Sequence, residues 1–326
     1  MLPKRSIRAL LALALCDLPF WTAQGQTPDR ADPIVLSVTY VDKHLFTRLD
    51  APGFGALDFL VDTGAEQTAV FHDSLRADSA QSSIKRHVTT VNGYGDGARQ
   101  RSTKRVSTSL WVGKRLVFAG DAIVLDRGEF ARRLSHHVDG ILGWDFFEKW
   151  CVHFDYGRLQ VSLFDRISCA PSSQSFVLSN ALSERGAFIP ITLSFSKGNP
   201  IPAHVRIDTG ADDAITLGPR FCGLAGLDKR TTSDETIDGV GINGRYTADR
   251  VTAREVTLGD GTVQLENTTI HFLCSELKRN WKKAPKHAAV DGGIGNAVLE
   301  QMLITLDPEK QSIYLEPNPA FNQSSP

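Results

Sequence analysis

The chain has 326 residues and a nearly balanced charge, with 36 lysines and arginines against 37 aspartates and glutamates. With 41% hydrophobic and 22% charged residues, its composition is that of a globular protein with packed cores, which excludes disorder as the default interpretation. Because neither charge is in excess, no long-range field favours nucleic acid or an anionic membrane as a general partner. Any partner must therefore be recognised at a local site.

The first 25 residues have the pattern of a secretory signal peptide. Basic residues precede an apolar run at 9–21, and a small-x-small cleavage pattern follows at 23–25. The run is shorter than the roughly 20 residues that cross a bilayer, so a transmembrane anchor is the weaker interpretation. Cys16 raises the alternative of a lipoprotein, but Leu15 stands where a small residue is wanted before the modified cysteine. We expect an exported protein, periplasmic or secreted.

Four cysteines follow the predicted signal peptide: Cys151, Cys169, Cys222 and Cys274. An exported chain can oxidise them, and four cysteines allow three pairings. Cys151 lies in an apolar strand pattern, which favours a buried thiol over a disulfide. None of the four has metal-ligand spacing with a histidine, so we predict no metal site.

The chain after residue 32 contains one unit written twice. Phe-Leu-Val-Asp-Thr-Gly-Ala at 59–65 recurs as Val-Arg-Ile-Asp-Thr-Gly-Ala at 205–211, an offset of 146 positions. The segments 91–95 and 110–113 recur at the same offset, at 237–241 and 256–259. The Asp-Gly-rich segment at 139–143 recurs at 291–295, an offset of 152 positions. The offset grows by six between the two sets of segments, which places a six-residue insertion in the loop that precedes 291–295.

Short strand patterns separated by Gly, Asp and Asn turns fill both copies, which predicts an all-β protein. Short helices are expected at 72–77, 145–149, 219–227 and 297–302. The predicted domains are a first repeat at 33–165 and a second at 180–318, joined by a Ser-containing linker at 166–179 and followed by a tail at 319–326. The sequence therefore predicts two tandem β domains related by a pseudo-two-fold axis.

Asp62 and Asp208 are the candidate catalytic residues, one from each repeat. Amide hydrolysis by two carboxylates requires them to share a water, with one ionised as base and the other protonated as acid. Two carboxylates at that distance share one proton, an effect for which aspartic proteases are the standard example. A pseudo-two-fold contact would place each aspartate next to its mate.

The residues around each aspartate suit this arrangement. The strands at 59–61 and 205–207 are expected to be apolar and to bury the turn. Gly64 and Gly210 permit close approach of another backbone. Thr63 and Thr209 can each donate a hydroxyl across the axis to the opposite loop.

These residues resemble the retroviral-type, or retropepsin-like, aspartic proteases, in the bacterial form that fuses two such domains in one chain. The resemblance covers almost all of residues 33–318. The segments that carry it are Asp-Thr-Gly-Ala at 62–65 and 208–211, glycine-containing hairpins at 92–97 and 238–244, and apolar-apolar-Gly elements at 141–143 and 294–295. The resemblance implies an aspartic endopeptidase that is active as a monomer on a peptide or protein substrate, without a metal or organic cofactor.

By the same resemblance, the aspartates activate the water, the threonines and neighbouring glycines interlock, and the hairpins form flaps that close over an extended peptide. The implied substrate-binding residues are Ala65, Glu66, Gly93, Tyr94, Ala211, Asp212, Gly239 and Val240. The chain departs from the family pattern where Trp144 and Asn296 stand in place of an arginine, which leaves open how the two halves are braced. Gly293 replaces the counterpart of Ile141, which predicts weaker packing beneath Asp208.

Two alternatives share this sequence pattern. One is a catalytically inactive peptide-binding module on the same fold, and the other is an interaction domain in which the copies do not pair and the chain dimerises. His136 and His137 are interpreted as part of a polar loop, and the basic run at 278–286 as a solvated surface rather than a nucleic-acid site.

Overall fold

The computed structural model describes residues 32–320 apart from 76–83, 92, 94–100, 170, 174, 197, 219–234, 260, 262 and 274–289. The described residues from Asp32 onward belong to one compact unit. The predicted signal peptide, Cys16, Tyr94, Cys222, Cys274, the helix expected at 219–227 and the basic run at 278–286 lie outside the described residues. None of the described helices is long and apolar enough to cross a membrane.

The first repeat consists mainly of strands whose side chains alternate between core and surface. Its strands are β1 (Ile34–Val41), β2 (His44–Ala51), β3 (Gly55–Val61), β4 (Ala69–Phe71), β5 (Ile84–Thr90), β6 (Arg101–Val112), β7 (Arg115–Leu125), β8 (Gly140–Leu142), β9 (Cys151–Asp155) and β10 (Gln160–Phe164). In β1, buried and exposed residues alternate over the first six positions, as expected for a strand with one face on a core. The β6–β7 hairpin turns at Gly113, whose φ of 57° favours glycine.

The second repeat follows the same plan. Its strands are β11 (Phe176–Leu178), β12 (Leu182–Ser183), β13 (Gly186–Ser194), β14 (Ile201–Ile207), β15 (Ile215–Leu217), β16 (Glu235–Gly241), β17 (Gly244–Leu258), β18 (Val263–Phe272), β19 (Gly292–Ile294), β20 (Met302–Asp307) and β21 (Ser312–Pro317). The described helices are α1 (Glu129–Arg133), α2 (Trp144–Phe147) and α3 (Asn296–Leu299), with 3₁₀ turns at His72–Ser74 and Arg166–Ser168. The all-β prediction is confirmed, although α1 was not expected.

The strands form two sheets. The larger has the order β11-β21-β20-β9-β10-β1-β2-β3-β8-β4-β7-β6-β5, and the smaller has the order β12-β13-β14-β19-β15-β18-β17-β16. In each repeat the strand that precedes Asp-Thr-Gly pairs in parallel with the short apolar strand near the repeat's end, β3 with β8 and β14 with β19. The repeated sequence therefore produces repeated strand pairing.

The repeats meet where β9 of the first pairs with β20 of the second. The paired residues are Val152 with Leu306, His153 with Thr305, and Phe154 with Ile304. The repeat offset carries His153 onto Thr305 itself, so this pair lies on the pseudo-two-fold axis and its neighbours exchange across it. The two copies therefore pair within one chain, unlike in the interaction-domain alternative.

The segment expected to be a linker contains a strand at its end. Phe176–Leu178 (β11) pairs with β21, and Leu178 is buried. Phe176 packs against the main core, which supplies the apolar contact that a free linker lacks. The linker prediction is therefore wrong for these residues.

The interpretation of Cys151 as a free thiol is also wrong, because Cys151 and Cys169 form a disulfide with a Cα–Cα distance of 5.6 Å. The 3₁₀ turn Arg166–Ser168, which follows β10, returns the chain to the start of β9 and brings the two cysteines together. An apolar strand position is compatible with either state, so the sequence pattern did not decide between them.

Replacing both Cys151 and Cys169 with alanine should lower the free energy of unfolding by about 3 kcal/mol, because the bond closes a loop of 18 positions in the unfolded chain. Urea denaturation of the double variant and the wild type measures this difference. Equal midpoints would show that the bond does not form in the folded protein.

Candidate active site

Each candidate catalytic aspartate follows the end of a buried central strand. The backbone N–H of Asp62 donates to the carbonyl of Leu142 at 3.1 Å, and that of Asp208 donates to the carbonyl of Ile294 at 3.0 Å. These bonds extend the β3–β8 and β14–β19 ladders by one residue. Both turns are thus held by the short apolar strand beside them.

The two carboxylates face each other across the repeats. Asp62 Oδ1 accepts the N–H groups of Gly64 and Ala65 at 2.8 and 3.0 Å, and Asp208 Oδ1 accepts that of Gly210 at 3.1 Å. A Cβ on Gly64 would lie 2.3 Å from Asp208 Oδ1, and one on Gly210 would lie 2.3 Å from Cγ of Asp62. Only glycine permits this approach at both positions, as predicted.

The two carboxyl groups titrate as a pair. Burial raises the pKa of Asp62, although hydrogen bonds from Ala65, Gly64 and Asp208 oppose this rise. Burial and the nearby charge of Asp62 raise the pKa of Asp208 well above its usual range. Asp62 accepts one more backbone N–H than Asp208, which favours Asp62 as the ionised member of the pair.

Thr63 and Thr209 interlock the two turns beneath the carboxylates. The hydroxyl of Thr63 donates to the carbonyl of Ile207 at 2.8 Å, and that of Thr209 donates to the carbonyl of Val61 at 2.8 Å. Each hydroxyl also accepts the backbone N–H of the other threonine, at 3.0 and 3.1 Å. Both side chains are fully buried. The predicted hydrogen bonds across the axis are confirmed.

Asn296 braces the two halves directly after the apolar-Gly element at 294–295. Its side-chain amide donates to the carbonyls of Lys43 at 2.5 Å and Thr209 at 2.8 Å, and its oxygen accepts the hydroxyl of Tyr156 at 2.6 Å. Lys43 and Tyr156 belong to the first repeat. At the equivalent position of the other repeat, the Trp144 indole donates across the halves to the carbonyl of Ser183 at 2.9 Å.

Replacing Asn296 with alanine should lower the free energy of unfolding by about 2–5 kcal/mol, because the buried Thr209 carbonyl and Tyr156 hydroxyl would lose this partner, as would the more exposed Lys43 carbonyl. Gln301→Ala is the matched control, since Gln301 is exposed and bonds only the nearby carbonyl of Ala297 among its described partners. Thermal and urea denaturation measure the difference. Equal stabilities for the two variants would contradict the bracing role of Asn296.

The tip of the second predicted flap contacts Gly93, the one residue of the first predicted flap at 92–97 that the structure describes. The β16–β17 hairpin turns at Ile242 and Asn243, and the Asn243 amide donates to the carbonyl of Gly93 at 3.0 Å. A Cβ on Gly93 would lie 2.2 Å from Cγ2 of Ile242. The contact joins one hairpin from each repeat. Gly239 packs against the ring of Tyr246, and Val240 is partly exposed.

The remaining predicted site residues lie around the two turns. Ala65 and Ala211 are partly exposed beside the aspartates, and Asp212 is exposed. Glu66 Oε1 accepts a hydrogen bond from Arg185 at 3.1 Å and lies 3.7 Å from Nη2 of Arg206.

Arg206 is a site residue that sequence reasoning missed. It was included in a strand expected to be apolar, but its Nη1 donates to the carbonyl of Gly64 at 2.5 Å, and its charge lowers the pKa of both aspartates. Comparison of the two repeats could have indicated this role, because Arg206 occupies the position at which the first repeat has the apolar residue Leu60. The backbone of Arg206 continues the strand while its side chain reaches the opposite catalytic turn.

His136 and His137 lie away from the dyad. His137 Nε2 is 3.0 Å from Asp139 Oδ1, and the ring of His136 stacks on Phe46 with centroids 4.5 Å apart. Both histidines line a cavity of about 470 Å³ that contains neither candidate aspartate. Across the described ranges, no cluster of three or more His, Cys, Asp or Glu side chains is placed to hold a metal ion.

No protein-family model matches the chain, and comparison with curated proteins finds no match either.

Proposed function

We propose that the chain is an aspartic endopeptidase with two tandem retropepsin-like domains and one active site between them. The observation that carries the proposal is the paired Asp-Thr-Gly turns, in which each carboxylate lies against the opposite glycine and each threonine bonds the opposite loop. Two partly buried carboxylates that share a proton fit the activation of one water.

In the proposed reaction, ionised Asp62 removes a proton from the water, whose oxygen attacks the peptide carbonyl. Asp208 gives its proton to the carbonyl oxygen, so a neutral tetrahedral diol forms. Asp62 then gives its proton to the nitrogen of the leaving amine as the C–N bond breaks, and Asp208 takes a proton from one hydroxyl of the diol. The products are a carboxylic acid and an amine, and the dyad returns to its starting protonation state. The flap tips would cover a substrate that is held as an extended strand by main-chain hydrogen bonds.

Incubation of the purified protein with a diverse peptide mixture, with and without a statine-type inhibitor, tests this proposal. Mass spectrometry should detect new peptide termini at mildly acidic pH, and the inhibitor should suppress them. An inactive peptide-binding module would instead bind peptides without releasing fragments, and its binding would survive Asp62→Asn.

The pH range of hydrolysis should lie above the range expected for two aspartates with ordinary pKa values. Because burial raises the pKa of both aspartates above 3.8, the base ionises later and the acid keeps its proton to higher pH. Both limbs of the kcat/KM profile should therefore lie above pH 3.8. Serine at positions 65 and 211 would donate a hydroxyl to the carboxylates, so Ala65→Ser/Ala211→Ser should shift the profile downward, and an unmoved or raised profile would refute this explanation.

A further inference from the structure

One row of side chains differs in kind between the repeats. In the first repeat, Leu60 of β3 pairs with Ile141 of β8, Ile141 pairs with Ala69 of β4, and Ala69 pairs with Ile123 of β7. All four side chains are buried in one apolar cluster. Partly buried Ala65, Val91 and Ile242 pack against this cluster, so it extends from the catalytic turn to the flap tips.

The same row of the second repeat is polar. Arg206 of β14 pairs with Gly293 of β19, Gly293 pairs with Thr216 of β15, and Thr216 pairs with His271 of β18. The correspondence is positional, because Leu60 and Arg206 each stand two residues before their repeat's aspartate. The second repeat thus has a guanidinium, a glycine, a hydroxyl and an imidazole where the first has four apolar side chains.

Buried polar atoms without hydrogen-bond partners are concentrated along this row. In the part of the chain that the structure describes, five such side-chain atoms occur, and three of them are Nε of Arg206, Oδ1 of Asp213 and Nδ1 of His271. Asp213 adjoins the row, since its Oδ2 accepts the hydroxyl of Thr216 and lies 3.5 Å from Nδ1 of His271. Its side chain is only 9% exposed. Unsatisfied buried polar groups are unfavourable, and a ligand that bonds them would remove this penalty.

Arginine side chains meet at one end of this wall. Arg206 lies over Phe188, 5.3 Å from the ring centroid, and reaches the catalytic turn of the first repeat at Gly64. Glu66 is shared between Arg206 and Arg185, so two cations face one carboxylate.

We propose that the second-repeat wall, formed by Arg206, Gly293, Thr216 and His271, is a subsite for an acidic side chain of the substrate. The peptidase would then prefer bonds flanked by an aspartate or glutamate on one side and by an apolar residue on the side of the first repeat. This inference rests on the proposed peptidase function. Gly293 also lacks the side chain that Ile141 places at the equivalent position of the first repeat.

The test uses peptide pairs that differ only in Glu against Gln near a bond that the wild type cleaves. Glutamate is placed in turn at each of the two positions on either side of the bond, and kcat/KM is measured near pH 6, where its carboxylate is ionised. At one position the Glu peptide should be cleaved about tenfold faster or more, the effect of a charge-assisted hydrogen bond. Arg206→Lys should keep part of this preference and Arg206→Leu should remove it.

Arg158→Leu is the matched control, because Arg158 is an exposed arginine that pairs with Asp155 and lies outside the row. It should retain the Glu-over-Gln preference. Equal rates for Glu and Gln peptides at every position, or a preference that survives Arg206→Leu, would overturn the subsite while leaving the peptidase proposal intact. Absence of hydrolysis of any peptide would overturn both proposals. If Arg206→Leu does not fold, the wild-type comparison of Glu with Gln peptides still decides.

Discussion

Replacing Asp208 with asparagine should remove peptide hydrolysis and leave the fold intact. Asparagine has nearly the same shape but cannot donate the proton that the proposed reaction assigns to Asp208. Loss of a general acid or base lowers the rate by a factor on the order of 10²–10⁴, and loss of the shared proton also prevents Asp62 from acting within a pair. Initial rates of cleavage for the variant and the wild type measure the effect.

The same variant makes a prediction about stability. The folded protein holds the Asp208 proton more tightly than the unfolded chain, because folding raises the pKa of this carboxyl. The protonated carboxyl therefore contributes fully to the free energy of unfolding below pH 3.8, and this contribution is lost as the pH rises through the raised pKa. Asparagine does not titrate, so Asp208→Asn should gain stability relative to the wild type across this window. Thermal melts at several pH values follow the difference.

Asp121→Asn is the control for both measurements, because Asp121 is a partly exposed surface aspartate bonded to Ser107. Its removal should leave hydrolysis unchanged. Full activity of Asp208→Asn, or equal activity loss in Asp121→Asn, would contradict the assignment of the dyad.

Replacing Thr63 with valine should strongly lower the stability of the fold. The hydroxyl of Thr63 donates to Ile207 and accepts the N–H of Thr209, and all of these groups are buried. Valine has a similar volume but leaves one carbonyl and one N–H without this partner. At about 1–3 kcal/mol for each unsatisfied group, the free energy of unfolding should fall by about 2–5 kcal/mol.

Thr63→Ser separates the hydroxyl from the methyl group. Serine keeps the oxygen that makes both bonds, so this variant should retain most of the stability and activity lost in Thr63→Val. Urea denaturation and peptide cleavage measure the two properties. Equal losses in the serine and valine variants would show that the methyl group, and not the hydrogen bonds, holds the turns together.

The repeat allowed much of the candidate site to be predicted from the sequence. Asp62 and Asp208 could be paired because two copies of one turn imply a two-fold contact, and the same symmetry predicted the bonds of Thr63 and Thr209. The strands followed from alternation and turn residues. These features depend on local pattern and on symmetry, both of which are visible in one sequence.

The features that break the symmetry could not be predicted in this way. Arg206 has an ordinary strand backbone, and only the geometry of the folded chain shows that its side chain reaches Gly64. Asn296 and Trp144 occupy equivalent positions of the two repeats but make different hydrogen bonds. The partners of Asn296 include Lys43 and Tyr156, which are distant in sequence, so local pattern does not indicate them. The partner of Cys151 depended on a 3₁₀ turn that returns Cys169 to β9, and the hydrophobic pattern did not contain this information.

Calorimetric titration of the intact protein with a statine-type inhibitor tests the central claim, that two repeats build one site, most directly. We expect one inhibitor bound per chain, with binding greatly weakened in Asp62→Asn and in Asp208→Asn alike. Two inhibitors per chain, or binding that survives one of these replacements undiminished, would contradict a single site shared by both repeats.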